Sequence, residues 1–301
     1  MPAPIWQPGT CSVGVRMQRR LFLAAGGALA GFGLWRVRSH AANLDPLADF
    51  ALTGQLTQGG WARGKAPLDT ARLLFGGREV RLAPDRSFFI AFDRDAPPRA
   101  ELVAEMNDGG ASKGQFAIAP RSWQIERIPI GPRPGSAPSE EFARRREAEL
   151  AQIKAARLRD NAVDGWRQTF IYPVFGRISG RFGSQRIYNG TPGAYHSGMD
   201  IATGTSGTPF VAPADGVVIL AADSAFTLEG RLLMIDHGMG LNSAFLHCSS
   251  HAVKTGDRVH QGQFIGRIGA TGRATGPHLH WSIKWREARL DPLLFVGNMP
   301  G

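Results

Sequence analysis

The sequence predicts a mainly β protein, and three observations carry that expectation. Glycine and proline number 38 and 20 of 301 residues, so turns are frequent. Apolar runs are short, and glycine or polar turn residues separate them. One segment past the N-terminal region, 140–160, has the composition and end charges of a helix. Hydrophobic residues make up 43% of the chain, ample for a core.

The first 42 residues read as a signal segment. "MQRRLFLAAGGALAGFGLWRVRSHAA" (17–42) has a basic start, an apolar stretch of 15 residues and small residues before Ala42. "RRLFL" is similar to a twin-arginine export signal, with Gln18 where Ser or Thr is usual. Met17 is a possible true start. The expected location is the periplasm or cell envelope, with a membrane tether if the segment is not cleaved. Arg16, Arg19, Arg20, Arg36 and Arg38 carry half of the formal charge of +10, and no acidic residue accompanies them. The remaining charge suits an anionic polymer or a membrane surface. No basic run interleaved with aromatics is present, so no nucleic-acid partner is expected. Cysteines are Cys11 and Cys248. Cleavage of the signal leaves one, which excludes an internal disulfide and a multi-cysteine zinc site.

Residues 43–130 read as a small β domain. "ARLLFGGREVRL" (71–82) is a hairpin around Gly76-Gly77. "DRSFFIAF", "GQFAIAP" and "SWQIERI" add strands. The region has no His and no Cys, so a spacer, adaptor or shield is expected. Residues 131–168 hold a Pro/Gly/Ser linker and a charged helix capped by Ser139. Phe142, Leu150, Ile153 and Leu158 give that helix a thin apolar stripe. It reads as a solvated connector packed on one side, or as a lid. Residues 169–301 return to short glycine-broken strands, as in "TPFVAPADGVVILAA" and "RLLMIDHGMGLNSAFLH". An antiparallel all-β domain is expected there.

Two histidine patterns in this last region carry chemistry. In "PHLHWSIKW" (277–285), strand alternation puts His278, His280, Ser282 and Lys284 on one face. Leu279, Trp281, Ile283 and Trp285 fall on the other, toward a core. In "AYHSGMDIA" (194–202), His196 and Asp200 lie four apart. Two histidines and one carboxylate would leave the fourth position of a tetrahedral zinc ion open. Each pair alone is weak, since either arises by accident.

Together, "HSGMDIA", "FLHCSSH" and "GATGRATGPHLHW" resemble the three signatures of lysostaphin/LytM-type zinc endopeptidases, in that family's order. The resemblance covers about residues 172–292, and the upstream β region and helix are similar to those of Gram-negative exported members. It implies Zn²⁺ held by His196, Asp200 and His280, with His247 and His278 as the non-ligand catalytic histidines. His247 ends the apolar run "SAFL", where the chain is expected to leave a strand. No His-Glu-x-x-His helix supplies a glutamate base, so histidines are expected to orient water, move its proton and stabilise the oxyanion; their order is open. The implied activity is a zinc metalloendopeptidase, or peptidoglycan hydrolase. Its partner would be peptidoglycan stem peptides, and its bond the D-Ala–diaminopimelate cross-link. Arg186, Asn189 and Asn242 are candidate substrate contacts, with Arg177 and Arg181 nearby. The alternative is a catalytically latent LytM-like regulator or wall-binding module that activates amidases. The other histidines read as structural: His237 in a turn, His251 and His260 in polar turns, and Cys248 in packing.

Overall fold

The computed structural model describes residues 48–129, 139–297 and 299. The signal segment, Cys11 and most of the Pro/Gly/Ser linker lie outside the described residues. Local sequence sets the hairpins. Gly76 and Gly77 both take positive φ, 54° and 75°, as a two-residue turn between Thr70–Phe75 and Arg78–Val80 demands. Leu73 of this hairpin is fully buried. A four-stranded sheet results when Arg99–Met106 and Ala111–Ala117 add to it.

A ten-stranded sheet dominates the C-terminal half, and every pair in it is antiparallel. Across its middle run Arg231–Asp236, Leu241–His251, Leu279–Trp285, Met199–Ala202 and Arg177–Gly180. Leu241–His251 is long because, with Arg231–Asp236 along one edge, it serves two partners in turn along the other. Leu241 to Leu246 pair with Leu279–Trp285, and Cys248 to His251 pair with Phe264–Ile268. The strand predicted to end at His247 therefore continues through it. His251, expected in a turn, closes the same strand opposite Gly266.

The two β regions share one continuous core. Phe89 of the N-terminal region meets Trp285 edge-on at 6.3 Å, and Trp61 packs on Phe295 at 5.3 Å. Arg121 also reaches across to buried Asp291, at 2.7 Å. The antiparallel expectation has one exception: Ile125–Ile128 pairs in parallel with Gln185–Tyr188.

The connector helix, Glu140–Arg157, begins at Ser139, whose side chain accepts from the Phe142 N–H at 3.1 Å. Its buried anchor is not the apolar stripe, of which Ile153 packs against the sheet. Leu150 and Leu158 are exposed, whereas Glu149 is buried. Glu149 accepts from the Thr227 backbone and hydroxyl and from Arg145 and Arg146. A charge that finds four donors can displace a leucine from the interface. Ala156 and Ile153 complete the packing, on the sheet face that carries Leu232, Met234 and Ala244.

His237 is fully buried. Its Nδ1–H donates to the Asp215 carbonyl at 2.8 Å, and Nε2 accepts from Ser243 Oγ at 2.9 Å. Burial pushes this imidazole down to about 4. The unfolded ring titrates near 6.5, so its stabilising effect is complete above that pH and is lost as pH falls toward 4. The pH-dependent loss of unfolding free energy between pH 7.5 and 4.5 is expected to include about 2–3 kcal/mol from this ring. Urea unfolding of His237→Gln should lack that part; an identical loss in both proteins would refute the assignment.

Candidate metal centre

Three strands set the centre in a row. His280 on Leu279–Trp285 lies directly opposite Asp200, and Asp200 lies opposite Gly180. Facing residues in a sheet are close enough for their side chains to meet. The loop before Asp200 brings in His196, pinned through its backbone N–H to the Ser184 carbonyl at 2.8 Å.

Three donor atoms then converge. His196 Nε2 is 3.1 Å from His280 Nδ1 and 3.1 Å from Asp200 Oδ1. His280 Nδ1 is 2.8 Å from the same oxygen. A tetrahedral zinc ion with bonds of about 2.0–2.1 Å needs donor separations of about 3.3 Å. The triangle is close to that size, so the residues fit the ion. The outer contacts fit as well. His196 Nδ1–H donates to the Arg181 carbonyl at 3.1 Å, which turns the Nε2 lone pair toward the centre.

The charges agree. Burial would raise the Asp200 carboxyl, but hydrogen bonds from His196 and His280 outweigh it and hold the group well below the usual range. Burial likewise opposes protonation of His196, yet the Asp200 bond and charge prevail and raise it. His280 is lowered, chiefly by burial. This is a pocket that favours positive charge at one point.

Two further imidazoles stand beside the triangle. His278 Nδ1–H donates to the Gly276 carbonyl at 2.8 Å, and its Nε2 is 3.8 Å from Asp200 Oδ1. His247 Nδ1–H donates to the Thr271 carbonyl at 2.8 Å. A carbonyl only accepts, so each neutral ring keeps its Nε2 lone pair free. The His247 and His278 rings are 4.9 Å apart. Burial, then the charges of His278 and His280, push His247 down to about 4. His247 sits where its strand changes partners, with φ at 64°. A non-glycine residue in that region costs about 1–3 kcal/mol, and the bulge re-aims the ring.

A Pseudomonas aeruginosa structure assigned to peptidase M23 superposes with a TM-score of 0.62 at 30% identity, covering 81% of this chain and 96% of that one. The chain belongs to peptidase family M23. The model described as "Peptidase family M23" matches residues 194–292, which hold all five site residues. In Vibrio cholerae serotype O1, the protein named peptidoglycan DD-endopeptidase ShyA is 40% identical over 37% of this chain and 26% of its own length. ShyC of the same organism, likewise named a peptidoglycan DD-endopeptidase, is 41% identical over 36% of this chain and 25% of its own length. The chain thus spans about a quarter of the curated relatives it matches.

Within this M23 chain, the candidate substrate residues do not all gather at the centre. Arg186 and Asn189 are on the Gln185–Tyr188 strand and the turn after it, and Arg186 pairs with Glu126 at 2.7 Å. Asn242 is elsewhere: it is buried opposite Lys284, and its Oδ1 accepts from connector-helix Arg157 at 2.5 Å. The helix reaches Asn242 because that residue shares the sheet face on which the helix lies. Cys248 packs as expected, with burial pushing its thiol up to about 12.

Gly180 and Gly198 escaped the sequence reading. A Cβ on Gly180 would collide with Asp200 Oδ2, and one on Gly198 would stand 2.7 Å from His280 Nε2. The available signal was a glycine inside the His-x-x-x-Asp spacing. Gly180→Ala is expected to weaken zinc retention about 10–100-fold, the usual effect of disturbing a ligand's support. Competition with a chromophoric chelator measures it; unchanged affinity would show that the cradle is not needed.

Proposed function

We propose that this protein is an exported zinc metalloendopeptidase that cuts peptide cross-links of peptidoglycan, the D-Ala–diaminopimelate bond in particular. The observation that carries this reading is the meeting of His196, Asp200 and His280 donors within 2.8–3.1 Å, with two oriented imidazoles beside them. His196, Asp200 and His280 would hold the ion. Zinc bound there supplies Lewis-acid polarisation of the scissile carbonyl and a water of lowered pKa.

The chain's own residues do the rest. His278 takes the proton from the attacking water at Nε2, whose lone pair is left free because Nδ1–H is bonded to the Gly276 carbonyl. The same ring then returns the proton to the leaving amine. His247 stays neutral, since burial and two adjacent rings disfavour its charge. Its Nε2 lone pair orients the water. The substrate follows from the Vibrio relatives named peptidoglycan DD-endopeptidases and from the N-terminal segment, which reads as an export signal to the periplasm.

The test is digestion of Gram-negative peptidoglycan by residues 43–301, with and without a chelator, followed by muramidase and chromatography. Chelator-sensitive conversion of cross-linked dimers to monomers is expected. Intact dimers with stoichiometric zinc would exclude this substrate. Intact dimers without zinc uptake would favour the amidase-regulator alternative.

A further inference from the structure

The connector helix and the His280 face of the sheet enclose a cavity of about 290 Å³. Ser197 and His280 line it toward the metal centre, and Arg157, Lys284 and Arg289 line it farther along. Lys284 is four residues from His280 on one strand, about 13 Å at extended-chain rise.

The cations around this cavity are not equally satisfied. Arg146 grips Glu229 through two bonds, at 2.5 and 2.7 Å. Lys284 donates to Glu287 at 2.8 Å. Arg157 has no carboxylate bonded to it among the described residues. Its side chain bonds only to Asn242 Oδ1, a neutral oxygen. Burial pulls this guanidinium down to about 10; Arg289 adds to that, and Glu287 and Glu229 oppose it from a distance. Arg289 likewise makes no ion pair among the described residues, and its guanidinium lies 5.3 Å from the Tyr195 ring. It is placed opposite Lys284 on the neighbouring strand.

A partly buried guanidinium with no carboxylate bonded to it among the described residues keeps N–H donors free for a ligand. Its planar fork matches a carboxylate, with two parallel N–H donors. The geometry points to a subsite for a substrate carboxylate, held by Arg157 and Arg289, with Asn242 fixing the Arg157 guanidinium. The inference rests on the peptidase reading of the metal centre, and it narrows the substrate to an acidic peptide. The distance along the strand corresponds to about four extended residues between that carboxylate and the scissile bond. Ser197 and Ser282, which also line the cavity, can meet the peptide between those points.

Two measurements on the full chain separate this subsite from the peptidase reading. The first uses zinc-free protein and calorimetric titration with L-Ala–γ-D-Glu–diaminopimelate and with its carboxamide form. The free acid is expected to bind about 10–100-fold tighter, the usual weight of a hydrogen bond to a charged group. Arg157→Gln and Arg289→Gln should each lose most of that preference, while the exposed Lys154→Ala on the same helix keeps it. Equal binding, no binding of either peptide, or a preference retained in both arginine variants would overturn the subsite. If Arg157→Gln unfolds, Arg289→Gln carries the comparison. The second uses zinc-loaded protein and cross-linked dimers in acid and amidated form. Hydrolysis indifferent to amidation would sink the subsite and leave the peptidase; acid-selective binding without hydrolysis would do the reverse.

Discussion

Asp200→Ala is expected to empty the metal centre. The carboxylate is the one anionic member of the donor triangle, and both His196 and His280 bond to it. Without it, two imidazoles must share an ion with no charge to offset its own. Zinc content by mass spectrometry should fall from stoichiometric to background. Turnover should fall by at least about a thousandfold, since the Lewis-acid contribution is several kcal/mol and each 1.36 kcal/mol is tenfold. Asp200→Asn keeps the shape and removes the charge, so it should retain zinc only weakly. The strand pairing opposite His280 and Gly180 is backbone-made, so the fold should survive. Undiminished zinc in Asp200→Ala would refute the ligand assignment.

His278→Ala should separate chemistry from metal binding. Its Nε2 is 3.8 Å from Asp200 Oδ1, outside the triangle of 2.8–3.1 Å. Zinc should therefore remain stoichiometric. Removal of a proton-transfer group typically lowers turnover about 10²–10⁴-fold, and the loss should appear in kcat rather than KM. Loss of zinc instead would move His278 into the ligand set. Full turnover would pass the proton role to His247. In that case His247→Ala should show the deficit, and the low basicity of its ring would shift the acid limb of the rate profile.

The site was legible where its residues lie on one element or at a fixed spacing. The alternation in "PHLHWSIKW" placed His280, Ser282 and Lys284 on one face, and all three line the cavity, together with Ile283. The pair His196 and Asp200 was visible as a spacing. The hairpin at Gly76-Gly77 and the cap at Ser139 follow from local chemistry, and each appears as expected. The connector helix was harder. Its stripe of Phe142, Leu150, Ile153 and Leu158 pointed to an apolar contact, but its buried anchor is Glu149. The donors that make this burial favourable include Thr227, 78 residues away.

By itself the sequence determined strand faces and turn positions, while its resemblance to the LytM-type endopeptidases pointed to the five residues proposed for the chemistry. The faces and turns depend on alternation, on positive-φ glycine turns and on side-chain type, all properties of neighbouring residues. Tertiary structure decided what those residues meet. It sent Leu241–His251 from one partner to another at His247, and it fitted Gly180 against Asp200 and Gly198 against His280. It also laid a helix over Asn242 and left Arg157 with no carboxylate bonded to it among the described residues. Those outcomes come from packing between segments 15 to 85 residues apart, which no local pattern encodes.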